Sequence, residues 1–397
     1  MNKNNMSLTT LGALYFFMGL ITVLNDILIP HLKELFQLTY FQAALVQFCF
    51  FGVYFITGSF WGKVISKIGY PNGVSSGFLI AALGCLLFLI TPFYKSYFVF
   101  LGALFILASG IVLLQASGNP FVTLLSPNKE ARNLTLVQAF GSAGTMIGPL
   151  IGAYFILDQQ NYGFGNPVVL PYFLIAIFLI ILALVVYFLK LPDVRQDTPA
   201  PKTQDALRSD LAINKTSIWQ YPHLKLGLLA IFAYVGAEVS IGSFLINTMG
   251  EIANIDHVQG AKYVAVYWGS MMVGRFLGAA ILNKIQTHYL LAINAIIACI
   301  LIILAILFGG KASIFLLVAV GLFNSVMFAS IFALSTKYLG RFTSQASGLV
   351  CMAIVGGALI PLLQGYVIDN IGLYPHILSR FYAMHILHFL HLDPILF

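Results

Sequence analysis

Long apolar runs separated by short polar or glycine- and proline-bearing stretches fill the chain from about residue 9 to residue 367. The runs lie at about 9–29, 40–60, 72–92, 97–118, 134–157, 169–190, 224–247, 262–282, 288–308, 313–335 and 344–367. Each is long enough for one membrane-crossing helix, which takes roughly 17–25 residues. The pattern therefore predicts an all-α membrane protein with eleven clear spans. Between Leu191 and about Pro222 the composition turns abruptly charged and proline-containing, which predicts a linker between two blocks. The expected organisation is a six-helix half over 1–191, a linker over 192–222 and a second half over 223–397. A twelfth span is only weakly present. From about residue 373 the stretch LYPHILSRFYAMHILHFLHLDPILF carries four of the eight histidines with Arg380 and Asp393. It reads either as a short polar last helix or as the product of an altered reading frame.

Composition strengthens the membrane reading. The 397 residues are 60% hydrophobic and 8% charged, against about 45–50% and about 25% for soluble domains. The net charge of +7 is explained by its distribution. With the N-terminus in the cytoplasm, fifteen lysines and arginines fall on the inner side, and Lys33, Lys95, Lys262 and Lys311 fall outside. That is the positive-inside bias of a multi-pass protein, and no nucleic-acid or other polyanionic partner is needed. Cys49, Cys85, Cys299 and Cys351 all sit inside apolar runs without ligand spacing, so they read as small core residues. The first run is of full helix length, contains Asp26 and lacks a small-residue cleavage pattern, so it is expected to remain as the first span.

Two acids interrupt the apolar pattern, Asp26 and Glu238, and they stand 212 residues apart. The same spacing relates Gly62 and Lys63 to Gly274 and Arg275, and Pro149 and Tyr154 to Pro361 and Tyr366. An even number of spans before the linker makes this a parallel repeat, an arrangement that places a transporter's site between its halves. A charge at bilayer depth costs roughly 2.5–3.5 kcal/mol on insertion scales, so an acid kept in each half is a functional candidate.

Several motifs carry a family resemblance: LNDILIPHL with Asn25 and Asp26, VQFCFFGVYF, GNPFVTLL from Gly118, RNLTLVQAF from Arg132, YVGAEVSIGSFLIN and AIVGGALIPLLQG. From about residue 12 to Gly372 the chain resembles the major facilitator superfamily. Within it, the resemblance is to the fucose/glucose/galactose:proton symporter family, and most to the bacterial glucose/galactose branch. This implies two parallel six-helix repeats, alternating access, a bacterial inner membrane and a hexose substrate. It also implies that Asp26 takes part in proton coupling and sugar binding. A carboxylate in a dry site that changes access can bind and release a proton; the alternative is an acid held only for packing.

The fucose branch has a glutamate where this chain has Gln115, and an amide where it has Glu238. Gln115 and Asn119 share a helix face, so their amides can meet sugar hydroxyls but cannot exchange a proton. They are otherwise expected to cross-brace helices. Glu238 has Tyr234 one turn back and Gly242 one turn on, and is the second coupling candidate; its alternative is a pair with a basic residue at a helix end. Gln138, Ser142 and Thr145 form a polar stripe expected to face a wet cavity, with Asn324 a weaker amide candidate. Gly141 stands where the family usually has asparagine, and Ala329 where it has proline. The expected substrate set is thus Asn25, Asp26, Gln115, Asn119, Gln138 and Glu238, and the coupling pair is Asp26 and Glu238. Lys63, Lys67 and Arg275 are expected to gate at helix ends, although a plain positive-inside role explains the lysines as well.

No catalytic residue, metal ligand set or cofactor is expected, and a monomer in the lipid bilayer is. Gly58–Lys63 has one residue too few for a phosphate-binding loop. The glycosylation-like patterns at Asn133 and Asn214 fall on the cytoplasmic side. The coupling ion is expected to be H+, with Na+ the alternative because acids and amide oxygens also suit a hard cation. Competing readings are an exporter of apolar compounds, whose cavity should be mostly apolar, a membrane enzyme acting on lipid-linked sugars, and a non-transporting sugar sensor.

Overall fold

The computed structural model describes residues 11–22, 40–94, 96–125, 129–152, 169–189, 216–253, 257–308 and 310–371. Helices account for almost all of them. The first half contains α1 (Leu11–Thr22), α2 (Tyr40–Ile68), α3 (Tyr70–Phe88), α4 (Tyr97–Leu124), α5 (Glu130–Gly152) and α6 (Val169–Phe188). After the linker come α7 (Pro222–Ala253), α8 (His257–Ile281), α9 (Thr287–Phe308), α10 (Gly310–Asn324), α11 (Met327–Thr336), α12 (Thr343–Ala353) and α13 (Gly356–Ile371). Asn25, Asp26, most of the linker and the tail from residue 372 lie outside the described residues.

Each of the eleven expected runs is met by a helix, with α10–α11 and α12–α13 each serving as one broken span. Eight segments are long and apolar enough to cross a membrane, and α1 is apolar but shorter over its described residues. The two remaining helices, α5 and α8, are more polar for a reason visible in their packing. Each lies against the other, so residues such as Gln138 and Ser142 on α5 and Arg275 on α8 meet protein and not lipid. A polar group in hydrocarbon is costly unless it finds such a partner.

The duplication extends to packing. In the first half α4 lies against α2 and α3, and in the second half α10 lies against their counterparts α8 and α9. Gly69, with φ 82°, ends α2 in the left-handed region that glycine adopts without penalty, and the chain reverses at once into α3. Contacts between the helix ends fix which ends lie together. The hydroxyl of Ser344 bonds Tyr70 Oη at 3.0 Å, His223 Nε2 lies 3.0 Å from the Lys337 carbonyl, and the Tyr221 and Phe342 rings meet. These residues mark the end of the bundle that carries the linker. At the opposite end Phe88 packs against Phe100 and Tyr172.

The halves meet where α2 and α4 lie against α12, and where α5 lies against α8 and α11. Near the linker end the α2–α12 contact is backbone to backbone. A Cβ on Gly58 would come 2.7 Å from the Gly348 carbonyl, and one on Gly62 would come 3.1 Å from Gly348 Cα. Small residues four apart let helices approach this closely.

Candidate functional site

The first cluster is built on α4, whose inner stretch is buried except at Gln115, which is half-buried. Pro120 lies inside this helix and has no N–H, so the Ala116 carbonyl one turn back loses its intrahelical donor. Ser347 of α12 supplies the missing hydrogen bond across the seam, at 2.8 Å. Flanking this point, Gln115 Nε2 donates to the Tyr54 hydroxyl at 3.1 Å, and Asn119 Oδ1 accepts from the Tyr15 hydroxyl. Tyr15 also binds the cluster to α5: a Cβ on Gly118 would lie 3.4 Å from its hydroxyl, and one on Gly141 would lie 3.2 Å from its carbonyl. The position that resemblance marks as a missing asparagine thus serves as room for α1. Asn119 Nδ2, on a side chain only 1% exposed, is left without a hydrogen-bond partner. Such an orphan costs about 1–3 kcal/mol until something fills it.

The second cluster surrounds the interruption between α10 and α11. The Asn324 carbonyl there lies 2.9 Å from the Tyr234 hydroxyl, which also lies 3.1 Å from Glu238 Oε1 on its own helix. Arg275 Nε donates to the next carbonyl, that of Ser325, at 3.2 Å. The other arm of the guanidinium crosses the seam, donating through Nη1 to the Gln138 carbonyl at 3.3 Å and to the Ser142 hydroxyl. Interrupting a helix frees carbonyls, and these side chains take them. Arg275 is near enough to Glu238 for their charges to interact. Gln138 Oε1 is buried without a partner.

The structure therefore brings Gln115 and Asn119 together, and joins Gln138 to Glu238 through Arg275. Arg275 lies nearly two turns inside the end of α8, not at its tip, and its contacts are internal. Lys63 and Lys67 are both exposed, and the contact between the halves beside them is made by glycine backbones. The stripe on α5 meets other helices: Ser142 meets Arg275, and Thr145, which bonds its own Gly141 carbonyl, stands against Gly19 of α1. Asn324, 1% exposed, contributes its main chain at the interruption as well as a buried amide. Tyr15 and Tyr54 were not singled out by sequence; in a chain with 19 tyrosines only the position of Asn119 and Gln115 one helix away distinguishes them. Among the described residues no group of three His, Cys, Asp or Glu side chains is placed to hold a metal ion.

Comparison with known proteins agrees with this architecture. The profile of the Major Facilitator Superfamily matches residues 11–361. A Helicobacter pylori (strain J99) protein that bears the name glucose/galactose transporter provisionally is 54% identical over 377 residues, 92% of this chain and 90% of that one. The glucose/galactose transporter of Brucella abortus is 46% identical over 375 residues, 93% of this chain and 89% of that one. Among solved structures, the Escherichia coli fucose:proton symporter FucP superposes with a TM-score of 0.82 at 29% identity, covering 98% of both chains. A structure of FucP in the outward conformation superposes with a TM-score of 0.84 at 28% identity and the same coverage.

Proposed function

We infer that this chain, which belongs to the major facilitator superfamily, takes up hexoses, glucose and galactose first among them, across a bacterial inner membrane. Uptake proceeds by alternating access and is driven by protons. Two halves, 1–191 and 223–397, rock about the seam, with the N-terminus and the linker end in the cytoplasm. The likeness to FucP in the outward conformation, together with the glycine contact of α2 and α12, supports a state closed at the linker end.

The observation that carries the reading is a pair of buried amide atoms left unsatisfied beside the seam, the donor Asn119 Nδ2 and the acceptor Gln138 Oε1. A sugar hydroxyl both donates and accepts, so hexose hydroxyls can satisfy a donor of this kind and an acceptor of this kind alike. An apolar export substrate would leave both orphaned. In this reading Asn25, Gln115, Asn119, Gln138 and Glu238 contact the sugar, Asp26 carries the coupling proton, and Arg275 holds the halves together. Protonating the acid removes the cost of closing a dry cavity over a charge. One charge crossing 100 mV supplies about 2.3 kcal/mol, enough for roughly 50-fold accumulation.

Uptake of labelled glucose and galactose into vesicles, with a panel of hexose competitors, tests the substrate. Absence of hexose uptake would end the reading. Omitting sodium at fixed pH and voltage separates the two coupling ions. Asp26→Asn is expected to lose accumulation against a gradient while keeping sugar exchange; accumulation retained under a proton-motive force would remove Asp26 from the carrier role.

A further inference from the structure

Ala116 and Pro120 bracket a gap in the hydrogen bonding of α4. The proline has no N–H, and the carbonyl one turn back takes its hydrogen bond from the fully buried Ser347 of the other half, at 2.8 Å. Gln115 immediately precedes Ala116 and Asn119 immediately precedes Pro120, so the two amides stand one at each end of the missing bond. Each amide is tied to a different helix of its own half, Gln115 to Tyr54 of α2 and Asn119 to Tyr15 of α1. A helix bends most readily at a proline, and a change of bend here alters the spacing of two side chains held by different neighbours. Gly348, next to Ser347, packs on the backbone of Gly58 and Gly62 in α2. The hydroxyl that completes α4 therefore travels with the helix whose contact closes the linker end.

We propose that Ser347 is a positioning residue for the sugar. With the linker end closed it fixes the bend of α4, and so the pair Gln115 and Asn119; opening of that end withdraws it and lowers the affinity for sugar. The proposal rests on the transporter reading above. Once α12 moves away, water entering from the linker end bonds the Ala116 carbonyl in place of the serine, so the exchange leaves no buried acceptor bare. The pin on α4 is then gone at little energetic cost. Linkage makes the effect reciprocal: if closure favours sugar, sugar favours closure by the same factor.

Full-length transporter in lipid nanodiscs, without an ion gradient, serves for two measurements. The first is equilibrium binding of labelled galactose. Ser347→Ala is expected to raise Kd about fivefold, the effect of losing one neutral hydrogen bond. Pro120→Ala restores an N–H at residue 120, which can bond the Ala116 carbonyl within α4 in place of Ser347. On that background Ser347→Ala should change Kd by less than about twofold relative to Pro120→Ala, because the two changes act on one bond. The second measurement follows N-ethylmaleimide labelling of Cys351 by peptide mass spectrometry. This cysteine is fully buried one turn further along α12, beside Tyr15 and Tyr54. Saturating galactose should slow its labelling about fivefold in the wild type, by the reciprocity above, and far less in Ser347→Ala. An unchanged Kd in Ser347→Ala with a lowered thermal midpoint would make the serine structural and overturn the proposal. An equal rise in Kd with and without Pro120 would do the same, as would protection of Cys351 that Ser347→Ala leaves intact. If Ser347→Ala does not fold, the comparison on the Pro120→Ala background, where no carbonyl is bared, still decides. A wild type that binds no hexose is a separate result and overturns the transport reading itself.

Discussion

Gly62 and Lys63 in α2 and Gly274 and Arg275 in α8 occupy matching places in the repeat, yet they face opposite ways. Gly62 lies against Ser344 and Gly348 of the other half, and Lys63 is exposed. Gly274 lies against Leu322 and Ser325 of its own half, and Arg275 reaches across to Gln138 and Ser142. The repeat keeps a glycine followed by a cation on a helix in each half, while rotation of the helix in its packing decides which of the two meets the partner half. In α2 the glycine does so, and the contact is steric. In α8 the cation does so, and the contact is hydrogen-bonded.

Arg275→Lys should have the largest effect if this contrast is right. A lysine ammonium cannot spread three hydrogen bonds over the same fork, and bonds to charged groups are worth about 1.5–3 kcal/mol each. Hexose uptake is expected to fall roughly 10- to 100-fold with the protein still present in the membrane. Near-normal uptake in the lysine variant would mean that charge alone suffices there.

Gly348→Ala and Gly274→Ala come next and separate steric closure from stability. A Cβ on Gly348 would lie 2.8 Å from Gly62 Cα across the seam, where backbone cannot give way. Overpacking costs about 1–3 kcal/mol, which should lower uptake about tenfold and raise alkylation of Cys351. The corresponding clash at Gly274 falls within one half, against the Leu322 carbonyl and Ser325, so it should lower the thermal midpoint with little change in KM. Identical phenotypes would dissolve the distinction.

Tyr54→Phe removes one neutral hydrogen bond to Gln115 and is expected to raise the hexose KM about fivefold, from a bond worth about 1 kcal/mol. Lys63→Ala with Lys67→Ala should change uptake by less than about twofold, as exposed substitutions usually do; a larger loss would speak for a gating role of the lysines.

How much could be read beforehand differs from residue to residue. Gln115, Asn119 and Glu238 stand out because a polar group in an apolar run is costly and therefore conspicuous. Their partners Tyr15, Tyr54 and Tyr234 do not, since aromatic rings are ordinary furniture in such helices. Arg275 is visible but reads as a helix-end anchor, because sequence distance from the end of a run says nothing about which neighbour the side chain faces. Pro120 is equally visible, but that its freed carbonyl is taken by Ser347 of the other half depends on a contact between residues 231 positions apart.

The sequence alone determined the membrane class, the eleven helical runs, the 212-residue repeat and the polar positions inside the bundle. These are properties of hydrophobic length and local composition, which act through solvent transfer and need no long-range contact. Only the tertiary structure decided how each helix is rotated: that α5 and α8 turn their polar faces to one another, that glycines meet the other half at one seam and an arginine at another, and that the Tyr234 hydroxyl lies between Glu238 and an interrupted helix. Those outcomes depend on packing between helices far apart in the chain, where a rotation of a few tens of degrees exchanges one partner for another at little local cost.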